Sequence, residues 1–155
     1  MTSIRVSLVD LYVLRGTGAA LECLVLRRAA GGRCPGSWET VHGHIEPEET
    51  PAAAARRELE EETGLVAERL YNLSRVETFY QHRLDEVALV PVFAAFVAAS
   101  STVRTGQEHD RFEWLPPAEA RRRFAWPREA RALDDVLALL GAGDAGPVED
   151  VLRVC

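Results

Sequence analysis

The segment from Gly43 to Leu65, GHIEPEETPAAAARRELEEETGL, constrains this chain more than any other stretch, because it carries start and stop signals for one short helix. The Thr50 hydroxyl can accept a hydrogen bond from a free amide of the first turn, and Pro51 at the first helical position gives up no needed donor. Ala52 to Ala55, Leu59 and the interspersed Glu and Arg residues propagate a helix, and Gly64 can take the left-handed conformation that ends one. The expectation is a helix over Pro51–Thr63. At about 100° per residue, Glu58, Glu61 and Glu62 project within an arc of roughly 100°. Ala52, Ala55, Leu59 and Thr63 form a neighbouring stripe, small enough to pack closely on a sheet.

Three like charges on one arc repel one another unless something neutralises them, and hard divalent cations with oxygen ligands do so well. The plainer alternative is a solvated helix face laced by ion pairs, since Arg56 can reach Glu60 and Arg57 can reach Glu61 one turn on. The helix alone leaves both readings open.

The rest of the chain reads as an alternation of strands and helices. Ile4 to Leu14 is rich in Ile, Val, Leu and Tyr, the Arg15-Gly16-Thr17-Gly18 turn follows, and Leu21 to Arg28 resumes the pattern, which predicts a hairpin. A Gly/Pro-rich loop over 29–37 leads to a short strand from Trp38 to His42, and Gly43 to Glu49 reads as a loop. Beyond the helix, Arg69 to Gln81 and Val87 to Ala98 read as strands joined by a turn at His82 to Glu86. Pro91 belongs at an edge or a bulge of the second. A polar loop over 100–107 precedes a strand around Phe112 to Leu115. Pro117 to Phe124 and Pro127 to Leu140 follow as helices, the latter with Ala130, Leu133, Val136, Leu137 and Leu140 at amphipathic spacing. The chain is expected to form a single domain over residues 1–140, with a flexible tail over 141–155.

At 155 residues and 47% apolar content, there is material for one domain with a sizeable core. No apolar run reaches membrane-spanning length, and MTSIRVSLVD lacks the features of a secretory signal, so a soluble cytoplasmic protein is expected. Three cysteines with no C-x-x-C pair argue against a disulfide framework and against a zinc site. With 18 basic against 24 acidic residues, the net charge of −6 disfavours long nucleic acid as a partner. A small anionic ligand stays compatible, because a bound metal ion inverts the local field of an acidic site.

Gly43, Glu49, Arg57, Glu58, Leu59, Glu61, Glu62, Gly64 and Leu65 match, in order and spacing, the signature of the Nudix hydrolase superfamily, which the chain therefore resembles. That resemblance implies an α/β/α sandwich with a mixed β-sheet and a loop-helix-loop metal site. It also implies attack by water on phosphorus in a nucleoside diphosphate derivative, with Mg²⁺ or Mn²⁺ as cofactor. By matching position, Glu58, Glu61 and Glu62 would ligate metal together with the Gly43 carbonyl, and Arg57 and Glu49 would orient the carboxylates. Glu58 is the favoured proton acceptor. Family members often add an acid from a later loop, and Glu108, followed by His109, stands at the corresponding place. The chain departs from the common Pro-Gly-Gly entry to the motif, having Val41-His42-Gly43.

The substrate clues are looser. Arg27 and Arg28 end a strand, where they could meet phosphate or form outward ion pairs. Trp38, Phe79 and Tyr80 could stack on a base or pterin ring, or pack in the core. His42 and His44 flank Gly43 and could touch phosphate or simply face water. EHDRFEWL and FAWPREARALDDVL look similar to enzymes acting on dihydroneopterin triphosphate or nucleoside triphosphates. Tyr80, 15 positions past Leu65, resembles a tyrosine of dinucleoside polyphosphate hydrolases. No proline of the ADP-ribose type stands there. A small phosphorylated substrate is thus expected, and the resemblance allows a homodimer. The competing class is a non-catalytic Nudix module that binds a nucleotide as a sensor, although such modules often lack a charged residue of the motif.

Overall fold

Period-two alternation divides β2 (Leu8–Arg15) into two buried faces. Val9, Leu11 and Val13 pack with Ala54, Ala55 and Leu59, while Tyr12 and Leu14 pack with Leu133, Val136 and Leu140. A strand with apolar residues on both sides must lie between two layers. The computed structural model, which describes residues 1–155, has that architecture: a mixed eight-stranded sheet with α1 (Pro51–Thr63) on one face and α2 (Pro117–Arg123) and α3 (Pro127–Leu140) on the other. No helix is long and apolar enough to cross a membrane.

The strands are β1 (Ser3–Val6), β2, β3 (Glu22–Arg28), β4 (Trp38–Glu39), β5 (Val41–His44), β6 (Arg69–Gln81), β7 (Glu86–Phe96) and β8 (His109–Leu115). The central path runs β1-β7-β2-β3-β4, with β5 added on β2, β6 on β7 and β8 on β3. Both β1 and β2 run parallel to β7, and the other pairings are antiparallel.

Several boundaries differ from the sequence reading. The first strand breaks at Ser7, because Ser3 to Val6 pair with the start of β7 whereas Asp10 to Leu14 pair with its end. Pro91 stands in the gap between those two partners, after Leu89 opposite β1 and before Val92 opposite β2. Its missing N–H therefore interrupts neither of these two ladders, and against β6 it stands opposite Val76 beside a register shift, the bulge expected for it. Trp38–His42 is two strands, since Trp38 and Glu39 follow β3 while Val41 to His44 turn onto β2, which also draws Gly43 and His44 out of the expected loop. The last strand starts at His109 rather than near Phe112.

Both helix spans predicted around Pro51 and Pro127 hold. Thr50 Oγ1 accepts from the Ala53 amide at 3.2 Å, and Gly64 ends α1 at φ 71°. The final residues correct the expectation of a loose tail. A short helix, α4 (Glu149–Leu152), buries Leu152 in the core beside Tyr71, and the Val154 amide donates to the Leu70 carbonyl at 2.8 Å. Leu152→Ala should lower Tm by roughly 5–10 °C, the cost of a buried Leu truncation. Thermal unfolding checks this, and an unchanged Tm would mean that the segment contributes nothing to the fold.

Candidate functional site

The site is built where β5 passes under α1. Gly43 pairs with Val9 and turns toward the helix, where a Cβ would lie 2.1 Å from the Glu58 carboxyl carbon. A larger residue here would displace the Glu58 side chain from this position, and glycine leaves it room. Glu58 is consequently half-buried against the strand. Burial pushes its carboxyl up, Arg57 opposes that, and the neighbouring Glu61 and Glu108 charges add to it.

Arg57 fixes the arrangement. Its guanidinium donates to both oxygens of Glu49, at 2.9 and 2.8 Å, to Glu58 at 2.8 Å and to Glu61 at 3.2 Å. It also donates to the His44 carbonyl at 2.8 Å. These charge-assisted bonds hold Glu49 down to a pKa of about 2, the Arg57 bonds first and the Glu46 amide second. The solvated-face alternative expected Arg57 to pair with Glu61. That pair is present, but as one of several contacts, with Glu61 at the exposed rim.

Glu62 is different in kind. Its side chain is buried, with 6% of the residue exposed, and Oε2 has no hydrogen-bond partner. Burial raises its carboxyl well above the usual range, and the Glu58, Glu108 and Glu39 charges push the same way, against one hydrogen bond from the His42 amide. The loop before β8 is tied to the end of α1 by Arg104 and Gly106 amides donating to the Thr63 and Glu62 carbonyls, and so it delivers Glu108 to the cluster. Ligand atoms of Glu62, Glu108 and His109 lie within 4.8 Å of one another.

A divalent cation fits these residues. The donors are hard oxygens, one buried carboxylate oxygen is unpartnered, and glycine keeps the strand backbone open beside Glu58.

Of the sequence-predicted residues, Gly43, Glu49, Arg57, Glu58, Glu61, Glu62 and Glu108 come together, and Gly64 ends the helix that carries them. The substrate candidates are dispersed. Arg27 is paired with Asp110 at 2.8 Å and Arg28 with Glu39 at 2.9 Å. Trp38 packs on the face opposite α1, with the Arg123 guanidinium 4.7 Å from its ring centroid. Tyr80 is exposed near the β6–β7 turn, its hydroxyl 3.0 Å from Asp85.

Sequence reasoning missed a buried polar set behind β5. Asp10, fully buried, accepts from Arg128 at 2.9 Å and pairs with His42 at 2.6 Å. Although burial raises its carboxyl, these partners bring it down to about 2. Glu129 accepts from the Thr40 amide at 2.6 Å. An aspartate inside the apolar run VDLYV was the available signal, because such a residue needs a partner when buried.

Comparison with known proteins places this geometry in a family. The model of the NUDIX domain matches residues 5–136. The chain is 36% identical over 130 residues to an octanoyltransferase of Myxococcus xanthus, a match covering 78% of this chain and 34% of that protein. It is 33% identical over 102 residues to the asymmetrical bis(5'-nucleosyl)-tetraphosphatase of Rattus norvegicus, covering 64% of this chain and 67% of that one. The chain thus spans about a third of the first relative's length. Among solved structures, a C. elegans Ap4A hydrolase binary complex superposes with a TM-score of 0.71 at 23% identity, covering 86% of this chain and 96% of that one.

Glu62 titrates higher in the fold than in the unfolded chain. The folded state therefore binds more protons, and metal-free stability falls as pH rises from the ordinary carboxylate range toward the folded value. Glu62→Gln removes that penalty. With chelator at neutral pH it should raise Tm by roughly 2–8 °C and flatten the decline with pH. A lowered Tm in the thermal melt would contradict the burial argument.

Proposed function

Because the chain belongs to the NUDIX domain family, we propose that it is a metal-dependent pyrophosphohydrolase that cleaves a diphosphate linkage in a small nucleotide or a similar phosphorylated molecule. The observation that carries the reading is the unpartnered, buried Glu62 oxygen beside Glu58 and Glu108. A resting carboxylate in that position is unfavourable, and a cation would relieve it. Glu58, Glu61, Glu62, Glu108 and the Gly43 carbonyl would hold Mg²⁺ or Mn²⁺. Such an ion supplies polarisation of the phosphate oxygens and acidification of a water.

The chain's own residues supply the remainder. Glu58, whose carboxyl burial raises above its ordinary value, is suited to take a proton from the attacking water. Arg57 holds that carboxylate in one position, and Glu49 holds Arg57. Water oxygen bonds to phosphorus as the anhydride P–O bond breaks, and the departing phosphate leaves with the electron pair of that bond. Nucleoside triphosphates and dihydroneopterin triphosphate lead the substrate classes, by the similarity of EHDRFEWL and FAWPREARALDDVL. Dinucleoside polyphosphates are the second class, favoured by the name of the rat relative, and ADP-ribose is a further alternative.

The test measures phosphate or pyrophosphate release from these four classes with Mg²⁺, Mn²⁺ or chelator. Metal-dependent turnover of one class is expected, with kcat at least about 100-fold lower in Glu58→Gln. Full activity in chelator would refute the proposal. Nucleotide binding without cleavage would favour a sensor module instead.

A further inference from the structure

Glu62 is not the only group at the cluster with an unpartnered buried atom. His109 is 2% exposed, and its Nδ1 is buried without a hydrogen-bond partner. The other ring nitrogen, Nε2, lies 2.9 Å from Glu39 Oε1, and that same oxygen accepts from Arg28 Nη1 at 2.9 Å. A carboxylate beside a guanidinium is an acceptor, so Nε2 carries the hydrogen. In the neutral ring Nδ1 then holds a lone pair. Glu62 and Glu108 each bring a carboxylate oxygen into one cluster with a ring nitrogen of His109, and Nδ1 is the nitrogen that Glu39 leaves free. Three ligand atoms within 4.8 Å of one another, two of them on buried residues that each keep an unpartnered polar atom, describe a site that a cation would complete.

Resting on the metal reading above, we infer that His109 is itself a ligand, contributing Nδ1 alongside Glu62 and Glu108 and giving this chain a mixed nitrogen and oxygen metal site. Glu39 is the positioning residue: it fixes the ring's tautomer and orientation from behind, as a carboxylate does for many metal-bound histidines. Arg28 in turn fixes Glu39, which accounts for a part-buried Arg–Glu pair at the end of β3. An imidazole ligand shifts preference toward borderline ions such as Co²⁺ and Zn²⁺ and away from Mg²⁺, which favours an all-oxygen shell.

The test has a readout independent of turnover. Mn²⁺-loaded protein is examined by electron spin echo spectroscopy for coupling to ¹⁴N, and Co²⁺ and Mg²⁺ affinities are measured by calorimetry. Wild-type protein should show the coupling, and His109→Gln should lose it while His44→Gln keeps it. Co²⁺ binding should weaken about tenfold or more in His109→Gln, with Mg²⁺ binding little changed, and Glu39→Gln should weaken Co²⁺ by about tenfold. If His109→Gln does not fold, retention of the coupling in His42→Gln, His44→Gln and His82→Gln assigns it to the remaining histidine. Mn²⁺ bound without ¹⁴N coupling, or coupling that survives His109→Gln, overturns the inference and leaves the carboxylate site standing. Failure of the wild-type protein to bind Mn²⁺ overturns the metal reading and this inference together.

Discussion

The arrangement of the site depends on one guanidinium. Arg57 sits in the middle of α1, but its partners come from three places: Glu49 in the loop before the helix, the His44 carbonyl at the end of β5, and Glu58 and Glu61 on the helix itself. A planar group with five N–H donors can hold such a set rigidly, because paired bonds to Glu49 fix the plane and the remaining donors are then aimed. A lysine, with one point of charge, could satisfy the electrostatics without fixing the geometry. The loop conformation, the approach of β5 and the placement of Glu58 are therefore one structural decision.

That decision requires β5 to stay in place, and the strand is held from both faces. On the α1 side Glu58 packs over Gly43, and Arg57 binds the carbonyl that follows. On the α3 side, Glu129 takes the Thr40 amide and Asp10 links His42 to Arg128. Buried ion pairs of this kind contribute little net stability, since desolvation offsets most of the attraction. Their effect is positional. A four-residue strand with glycine in it has few apolar contacts with which to fix its register, and the polar contacts behind it supply what is missing.

This division also explains which parts of the molecule were legible in the sequence. The span of α1 could be read because its signals are local: the Thr50 cap, Pro51 and Gly64 act within one turn. Helix geometry brings Glu58 and Glu62 onto one arc, and the resemblance carried by the signature residues is what marked that arc as a candidate site. Contacts between distant segments were not legible. Asp10 meets Arg128 across 118 positions, Thr40 meets Glu129 across 89 and Glu39 meets His109 across 70. Each pair exists only because the sheet order and the packing of α3 on the sheet bring these segments together, and no periodicity encodes that arrangement. The same limit hid the packing of Leu152, which joins the core cluster that also holds Tyr71 of β6.

The pairing of charges bears on how an anionic substrate could be accepted. Four arginines around the cluster are already engaged: Arg57 with four glutamates, Arg28 with Glu39, Arg27 with Asp110, and Arg128 with Asp10. Freeing one of them to grip phosphate would strand its carboxylate partner, in two cases a buried one. Phosphate arriving at the bare cluster would meet Glu58, Glu61, Glu62 and Glu108 while these four arginines are already paired. A polyvalent cation reverses this balance without breaking any internal pair, because it uses the oxygens that the arginines leave free. On the proposed reading, metal dependence is thus a consequence of how the arginines are spent on holding the fold, as much as of the chemistry at phosphorus.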